Sequence, residues 1–309
     1  MPKDFLTVAD WTAEELHQIL ARAQNLRQLH RAGERPQTLQ GQTLAMYFEK
    51  PSLRTHVTFE AGMEQLGGHA VLLRPEQVGI GTRESPRDVA LNLSRWVDAI
   101  MARTFSHSLI EELAKEASIP VINGLTDLLH PCQAMADFQT IAGIMDPRQA
   151  TVAFVGDGNN TAHSLMLLCA VMGMRFRIGA PEGHQPSVRI QRQAQQLAAE
   201  SGAEIHVFED PAEAVRDADF IYTDTWTSMG QEDETDARRK IFAPYQVNRA
   251  LVALAPKAWL MHCLPAHRGE EITGEILDGE RSLVYEQAEN RLHAQKALLE
   301  RLLVPSLSD

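Results

Sequence analysis

The stretch TLAMYFEKPSLRTHVTFEAGMEQLGG, residues 43–68, joins a strand pattern directly to a helix pattern. Residues 43–48 form a short, mostly apolar run of strand length. Apolar side chains then recur at helical spacing until Gly67 and Gly68, which end the helix. The same order of strand and helix continues along the chain and predicts an α/β protein.

The strand-like runs fall into two series, and their continuous apolar character predicts parallel sheets covered by helices on both faces. A chain of 309 residues exceeds one typical core and indicates two domains. We place the boundary at Asp146–Pro147, giving domains 1–146 and 147–287, with the C-terminal helix of about 288–309 packing back on the first. The predicted strands are TLAMYF, HAVLL, AIMART and PVING in the first series, then ATVAFVGDG, FRIGAP, EIHVF, FIYTDT, WLMHCLP and LVYEQ.

The amino-acid composition and charge limit the kinds of molecule that the protein is expected to bind. The formal net charge of −12 argues against a nucleic-acid or anionic-membrane partner. Three cysteines without CxxC spacing fit a reducing compartment, and the first residues contain no signal-peptide pattern. The longest uncharged apolar stretch, residues 164–174, is too short to span a bilayer. We therefore expect a cytoplasmic protein with no membrane contact.

Residues 52–55, Ser-Leu-Arg-Thr, fall at the predicted start of a helix. Free backbone N–H groups and the positive end of the helix dipole favour an anion there, and Arg54 could grip two phosphate oxygens. Ser52 as a simple N-cap and Arg54 as a solvated charge explain this segment equally well. The segment alone leaves both interpretations open.

Polar residues follow the predicted strands, where ligands of open parallel sheets bind. This position makes them the candidate site residues, and they are distributed over both series of strands. They are Ser52, Arg54, Thr55, Arg103, His130, Gln133, Asn159, Asn160, Asp224, His262 and Cys263.

Three alternative kinds of site are weaker. GDGNN resembles a dinucleotide fingerprint, but Thr161 stands where its third glycine would be, and no acidic residue ends the next strand. Adjacent strand residues point to opposite faces, so His262 and Cys263 are not expected to share a metal ion, and we predict no metal and no cofactor. Cys263 could be a covalent nucleophile with a histidine as its base, but the sequence shows no evident third residue to orient that base.

Taken together, the segments FEKPSLRT, ART, HPCQ, GDGNN, DTWTSMGQE, HCLPAH and EQAENRLHAQKA resemble the aspartate/ornithine carbamoyltransferase family. They occur in the family's order and cover nearly the whole chain. The resemblance implies an active site in the cleft between two domains. It also implies transfer of a carbamoyl group from carbamoyl phosphate to the δ-amine of L-ornithine, giving citrulline and phosphate without a covalent enzyme intermediate.

The resemblance also implies a role for each matching residue. The carbamoyl phosphate cradle corresponds to Ser52–Thr55, with Leu53 where the family has Thr. The carbamoyl and phosphate groups are assigned to Arg103, His130, Gln133, Arg291, Cys263 and Leu264, with Arg54, Arg103, His130 and Cys263 as the catalytic set. Ornithine is assigned to Asn160, Asp224, Ser228 and Met229. Gln77 is assigned to a neighbouring subunit's site, which implies a homotrimer with shared active sites.

Several alternatives stay open at this stage. A carbamoyltransferase for another amine, such as putrescine, would use the same first substrate. A catalytically silent relative would bind ligands without turnover, although it would not need the full set from Arg54 to Cys263. The sequence does not distinguish arginine biosynthesis from arginine degradation, because both directions use one site. It also does not show how Leu53 affects the affinity for carbamoyl phosphate.

Overall fold

The computed structural model describes residues 3–227 and 232–304. The chain divides into two compact units. The first contains Met1–Gln139 together with Glu289–Asp309, and the second contains Thr140–Ala288. Each unit is built on its own parallel sheet with flanking helices, which confirms the predicted fold class.

The sheet of the first unit has four parallel strands in the order β2-β1-β3-β4. The three strands β1, β3 and β4 are almost completely buried, whereas β2 lies at the sheet edge and is partly exposed. Their bounds are β1 Thr43–Phe48, β2 His69–Leu73, β3 Ala99–Arg103 and β4 Val121–Leu125.

The helices of this unit follow its strands and cover the sheet. Helix α1 begins with a capping box: the Thr12 hydroxyl accepts from the Glu15 N–H, and the Glu15 carboxylate accepts from the Thr12 N–H. Helix α6 continues from this unit into the second one. The helices are α1 Ala13–Arg31, α2 Leu53–Gln65, α3 Pro75–Val78, α4 Pro86–Leu93, α5 His107–Glu116 and α6 Pro131–Ala142, with a 3₁₀ turn at Val8–Asp10.

The second unit has five parallel strands in the order β7-β6-β5-β8-β9. Its central strand β5 and the neighbouring β8 are buried throughout, with Phe154 and Tyr222 stacked between them. The strands are β5 Thr151–Val155, β6 Arg175–Gly179, β7 Glu204–Phe208, β8 Phe220–Thr223 and β9 Trp259–His262. The helices are α7 Asn160–Met172, α8 Val188–Ser201, α9 Pro211–Val215, α10 Thr235–Phe242, α11 Arg249–Val252 and α12 Gly274–Leu277, with 3₁₀ turns at Pro147–Gln149, Glu232–Glu234 and Ala243–Tyr245. The last helix, α13 Val284–Leu303, begins in this unit.

Nine of the ten predicted strands are present, and the tenth, LVYEQ, is wrong. The segment just before α13 lies beside β9, since the Leu283 N–H donates to the Leu260 carbonyl. The chain then turns into helix at Val284. The short apolar run is the first turn of a long helix, and a run of that length does not distinguish the two structures by periodicity. Among the helices of the described residues, none combines the length and the hydropathy needed to cross a membrane.

From Glu289 onward, α13 belongs to the first unit and packs along α2. The Lys296 side chain is completely buried and passes Gly62, where an added Cβ would lie 3.3 Å from Lys296 Cγ. Its ammonium group donates to Gln65 Oε1 at 3.2 Å. Burial, together with the charge of Arg35, lowers the pKa of Lys296 to about 8.

This lowered pKa predicts a measurable cost of burying the charge. Because the folded pKa lies below the unfolded value, the contribution of Lys296 is least favourable below pH 8 and improves as the pH rises toward 10.5. We expect Lys296→Met to raise the free energy of unfolding at pH 7 by about 1 to 3 kcal/mol and to flatten this pH dependence. Denaturant unfolding between pH 7 and 10 measures both effects.

The exposed Lys115 provides the control, since Lys115→Met should leave the unfolding free energy nearly unchanged. A loss of stability in Lys296→Met would mean that the hydrogen bond to Gln65 outweighs the cost of burial.

Candidate active site

The N-terminus of α2 follows directly from the end of β1. Ser52 is its N-cap, and the Ser52 hydroxyl oxygen accepts the Thr55 N–H at 3.2 Å. The N-cap interpretation of Ser52 is therefore correct, and its hydroxyl proton is still able to donate. Leu53 is the first helical residue, and 75% of its side chain area is exposed. The backbone of Leu53 thus stands at the helix start while its side chain points to solvent.

Two guanidinium groups converge on the buried hydroxyl of Thr55. Arg291 donates to Thr55 Oγ1 at 3.0 Å, and Arg103 donates to the same oxygen at 3.5 Å. Arg103 is the last residue of β3, whereas Arg291 lies on α13. Arg291 also donates to Gln133 Oε1 at 2.7 Å, so that a residue at the start of α6 joins the group. The first unit thereby brings together four of the predicted site residues.

His130 completes this cluster just before α6 and is only 5% exposed. Its pKa is well below the usual value, first because of burial and then because of the charges of Arg291, Arg103 and Arg54. His130 is therefore a neutral imidazole near neutral pH, able to donate one hydrogen bond. Three cations close to one buried neutral ring form a local positive field that favours an anion.

The structure adds a residue to this cluster that the sequence pattern did not indicate. With its amide oriented to satisfy both neighbours, Gln295 accepts from Arg291 and donates to Thr58. Thr58 in turn donates to the Arg54 carbonyl at 2.6 Å. Gln295 thus fixes the Arg291 guanidinium beside the first turn of α2. Helical spacing places Gln295 one turn after Arg291, but only the packing of α13 on α2 shows the contact.

In the second unit, Asp224 accepts several hydrogen bonds just after β8. Its Oδ1 accepts the Cys263 thiol at 3.0 Å and the Thr225 N–H at 2.8 Å, and its Oδ2 accepts from the Asn159 amide at 3.0 Å. A carboxylate held by three donors is a fixed negative group at a strand end. It is suited to a cationic partner such as an ammonium group.

Asn159 contacts Asp224 through its side-chain amide. Asn159 is the N-cap of α7 and accepts the N–H groups of Thr161 and Ala162, while its amide nitrogen donates to Asp224. Asn160 is the first residue of α7 and is partly buried. The predicted residues Ser228 and Met229 lie outside the described residues.

The prediction that His262 and Cys263 diverge is wrong. Their ligand atoms and a carboxylate oxygen of Asp224 all lie within 4.8 Å of one another. Strand β9 ends at His262, so the alternation of a strand does not extend to Cys263. Both His262 ring nitrogens face other groups, since Nδ1 accepts from the Leu264 N–H and Nε2 lies 3.1 Å from Glu271 Oε1. The imidazole is therefore not oriented toward a metal ion.

The backbone of the GDGNN turn requires glycine at positions 156 and 158. Gly156 has a φ of +129°, which glycine adopts without strain. A Cβ on Gly158 would lie 2.2 Å from the Pro186 backbone nitrogen, so only glycine permits this approach. The turn is shaped by its contact with residues 185–186.

Gln77 lies on the short helix α3. Its Oε1 accepts from the Arg74 N–H at 3.3 Å, capping its own helix. A role in a neighbouring subunit's site therefore stays a prediction.

Two family models cover most of the chain. The carbamoyl-P binding domain of aspartate/ornithine carbamoyltransferase matches residues 3–143, and the Asp/Orn binding domain matches residues 148–302. The chain belongs to the aspartate/ornithine carbamoyltransferase family. The first match contains Arg54, Arg103 and His130. The second contains Arg291 and the groups around Asp224.

Individual carbamoyltransferases are similar over nearly their full length. The ornithine carbamoyltransferase of Anoxybacillus flavithermus is 54% identical, with 97% of this chain and 96% of that protein covered. The solved ornithine carbamoyltransferase of Pyrococcus furiosus is 50% identical with a TM-score of 0.94, covering 97% of this chain and 96% of that one. The anabolic ornithine carbamoyltransferase of Campylobacter jejuni is 37% identical with a TM-score of 0.92, covering 97% and 99%.

Proposed function

We propose that this protein transfers the carbamoyl group of carbamoyl phosphate to the δ-amine of L-ornithine, giving L-citrulline and phosphate. The first unit binds carbamoyl phosphate and the second binds ornithine. The assignment of carbamoyl phosphate to the first unit rests on one observation. The charges of Arg54, Arg103 and Arg291 all lower the pKa of the buried His130, so three cations surround this neutral ring.

Each cationic residue has a distinct task in this proposal. Arg54 and the backbone of Leu53, at the start of α2, bind the phosphate with the Ser52 and Thr55 hydroxyls. Arg291 is held by Gln133 and Thr55 and meets the phosphate oxygens. Arg103 and neutral His130 donate to the carbonyl oxygen of the carbamoyl group. These two groups stabilise the negative charge that develops on that oxygen in the transition state.

The second unit supplies a carboxylate for a diamino acid. Asp224 accepts hydrogen bonds from Cys263 and Asn159, which fixes its orientation toward an ammonium group. Asn160, Ser228 and Met229 complete the proposed ornithine site. Leu264, with a φ of +57°, follows Cys263 and is proposed to lie with it beside the attacking amine.

The proposed reaction is one direct displacement. The δ-nitrogen attacks the carbonyl carbon, a C–N bond forms, and the C–O bond to phosphate breaks with its electron pair leaving on the phosphate. The departing phosphate accepts the proton lost by the amine. Free alkylamines have a pKa of about 10.4, so the site must bind and orient the neutral amine. Proximity then supplies much of the rate.

The names of two relatives support a role in arginine biosynthesis rather than in arginine degradation. The proteins of Pyrococcus furiosus and Campylobacter jejuni are both named anabolic. We infer the same direction here, with citrulline passed on toward arginine. The three free cysteines Cys132, Cys169 and Cys263 support a reducing, cytoplasmic location.

We also propose a homotrimer in which Gln77 reaches the site of a neighbouring subunit. The support is the family resemblance and the placement of Gln77 on a short helix whose side chains are largely accessible. Cross-linking or light scattering of the purified chain measures the number of subunits.

Citrulline formation from carbamoyl phosphate tests the proposed function most directly. We expect turnover with ornithine and none with putrescine or aspartate. Putrescine has no carboxylate for the proposed contact with Asn160, and aspartate has no side-chain amine to attack the carbamoyl group. Arg54→Ala should lower kcat/KM by about a hundredfold or more, since one charge-assisted phosphate contact is lost.

Turnover with putrescine and not with ornithine would show that the second substrate is a diamine. Absence of turnover with all three amines would favour a ligand-binding relative without catalysis.

Cys263→Ser tests whether the thiol acts as a nucleophile. Because the thiol donates to Asp224, we expect the serine variant to retain measurable turnover, with a raised KM for ornithine. Mass spectrometry of the wild-type protein incubated with carbamoyl phosphate alone should detect no carbamoylated Cys263. A carbamoylated thiol, or complete loss of turnover in the serine variant, would contradict direct displacement.

A further inference from the structure

Arg238, on α10, is a buried cation in the second unit. Its side chain is only 5% exposed, and the guanidinium lies over the Phe242 ring at 5.1 Å. A charged group at this depth is costly unless its donors are satisfied. The partners of Arg238 therefore indicate why it is placed there.

Two hydrogen bonds of Arg238 join segments that are distant in sequence. Its Nε donates to the Trp226 carbonyl at 2.5 Å, and its Nη2 donates to Asp157 Oδ2 at 2.6 Å. Trp226 is itself buried, and its ring stacks on Phe242. A single guanidinium thus connects α10, the chain after β8 and the GDGNN turn after β5.

One end of the connection lies close to Asp224 along the chain. Trp226 is two residues after Asp224, so the hydrogen bond from Arg238 to the Trp226 carbonyl limits the movement of the chain that carries this carboxylate. The Trp226 ring is also held by Phe242, which lies one turn after Arg238 on α10.

The other end of the connection leads to Asp224. Asp157 belongs to the same turn as Asn159, whose N–H donates to the Asp157 carbonyl at 2.8 Å. The Asn159 side chain donates in turn to Asp224, which accepts the Cys263 thiol. The ion pair is therefore two contacts away from the carboxylate assigned to the ornithine ammonium.

We propose that Arg238 and Asp157 are positioning residues for the second substrate: their ion pair holds the GDGNN turn and the chain after β8 together, and so fixes the orientation of Asp224. This inference rests on the proposed function, because it names the residues that orient the ornithine site. Neither residue is assigned a contact with the reacting atoms.

The charges around the pair make its effect dependent on pH. Burial raises the pKa of Asp157 to about 6, Arg238 opposes this shift, and Asp224 and Glu234 add to it. His184, whose Nδ1 lies 3.9 Å from Asp157, has a pKa lowered by burial and then by Arg238. Asp157 therefore gains a proton as the pH falls through about 6, which weakens the ion pair.

The test combines Arg238→Met, Asp157→Asn and the double variant. Met keeps an apolar stem over Phe242 but has no donors, and Asn keeps the shape of Asp157 without its charge. We expect the KM for ornithine to rise about tenfold in Arg238→Met and about threefold in Asp157→Asn, with the KM for carbamoyl phosphate changed by less than about twofold. The double variant should resemble Arg238→Met, since that change already removes the ion pair that Asp157→Asn weakens.

Two further readouts separate positioning from a general loss of structure. Hydrogen exchange of the amides of residues 223–227 should become faster in both single variants, whether or not substrate is present. The difference in ornithine KM between wild type and Asp157→Asn should shrink below pH 6. Asp157→Asn preserves the packing and supplies the decisive comparison if Arg238→Met does not fold.

Arg239 is the matched control on the same helix. Its side chain is half exposed and pairs with Glu270, so Arg239→Met should leave both KM values unchanged. Equal changes in the two KM values, a fall in kcat alone, or an unchanged ornithine KM in Arg238→Met would overturn the inference while leaving the proposed function intact. Lack of ornithine turnover by the wild-type protein would overturn both.

Discussion

The Thr55 hydroxyl, which accepts hydrogen bonds from both Arg103 and Arg291, is the contact on which the first half of the site depends. Thr55 and Arg291 are 236 residues apart in the sequence. The last helix must therefore pack against α2 for the cationic cluster to exist. The fold of the first unit and its anion site are consequences of the same helix packing.

The local charges also support the proposal that the two units bind different substrates. The chain as a whole is acidic, with a net charge of −12, which would repel a phosphate. Three guanidinium groups around His130 reverse that field locally, and the same charges help to keep the imidazole neutral. In the second unit the fixed group is the carboxylate of Asp224. A dianion and a diamino acid are thus matched by opposite local charges.

The sequence predicts what depends on local pattern. Apolar runs predict nine strands that the structure contains. Parallel strands place their carboxyl ends at one edge, which makes Arg103, Asp224 and Cys263 candidates for a site there. The run LVYEQ failed because its few apolar residues fit a strand or a first helical turn equally. The predicted divergence of His262 and Cys263 is wrong because β9 ends at His262, so the alternation of strand side chains does not extend to Cys263.

Residues whose roles depend on distant contacts were not predictable from pattern. Gln295 acquires its role only through Arg291 and Thr58, and Arg238 only through Trp226 and Asp157. The N-cap signal at Asn159 does not show that its side-chain amide donates to Asp224. Hydrogen bonds between residues far apart in the chain produce no recognisable pattern of residue spacing in the sequence.

The central claim is that the cluster of Arg54, Arg103 and Arg291 is a phosphate site. Calorimetric titration of inorganic phosphate into the protein, without ornithine, tests it most directly. We predict saturable binding of one phosphate per chain, weakened by about tenfold in Arg291→Gln and by added salt. Phosphate binding with the same affinity in that variant, or no saturable binding to the wild-type protein, would contradict it.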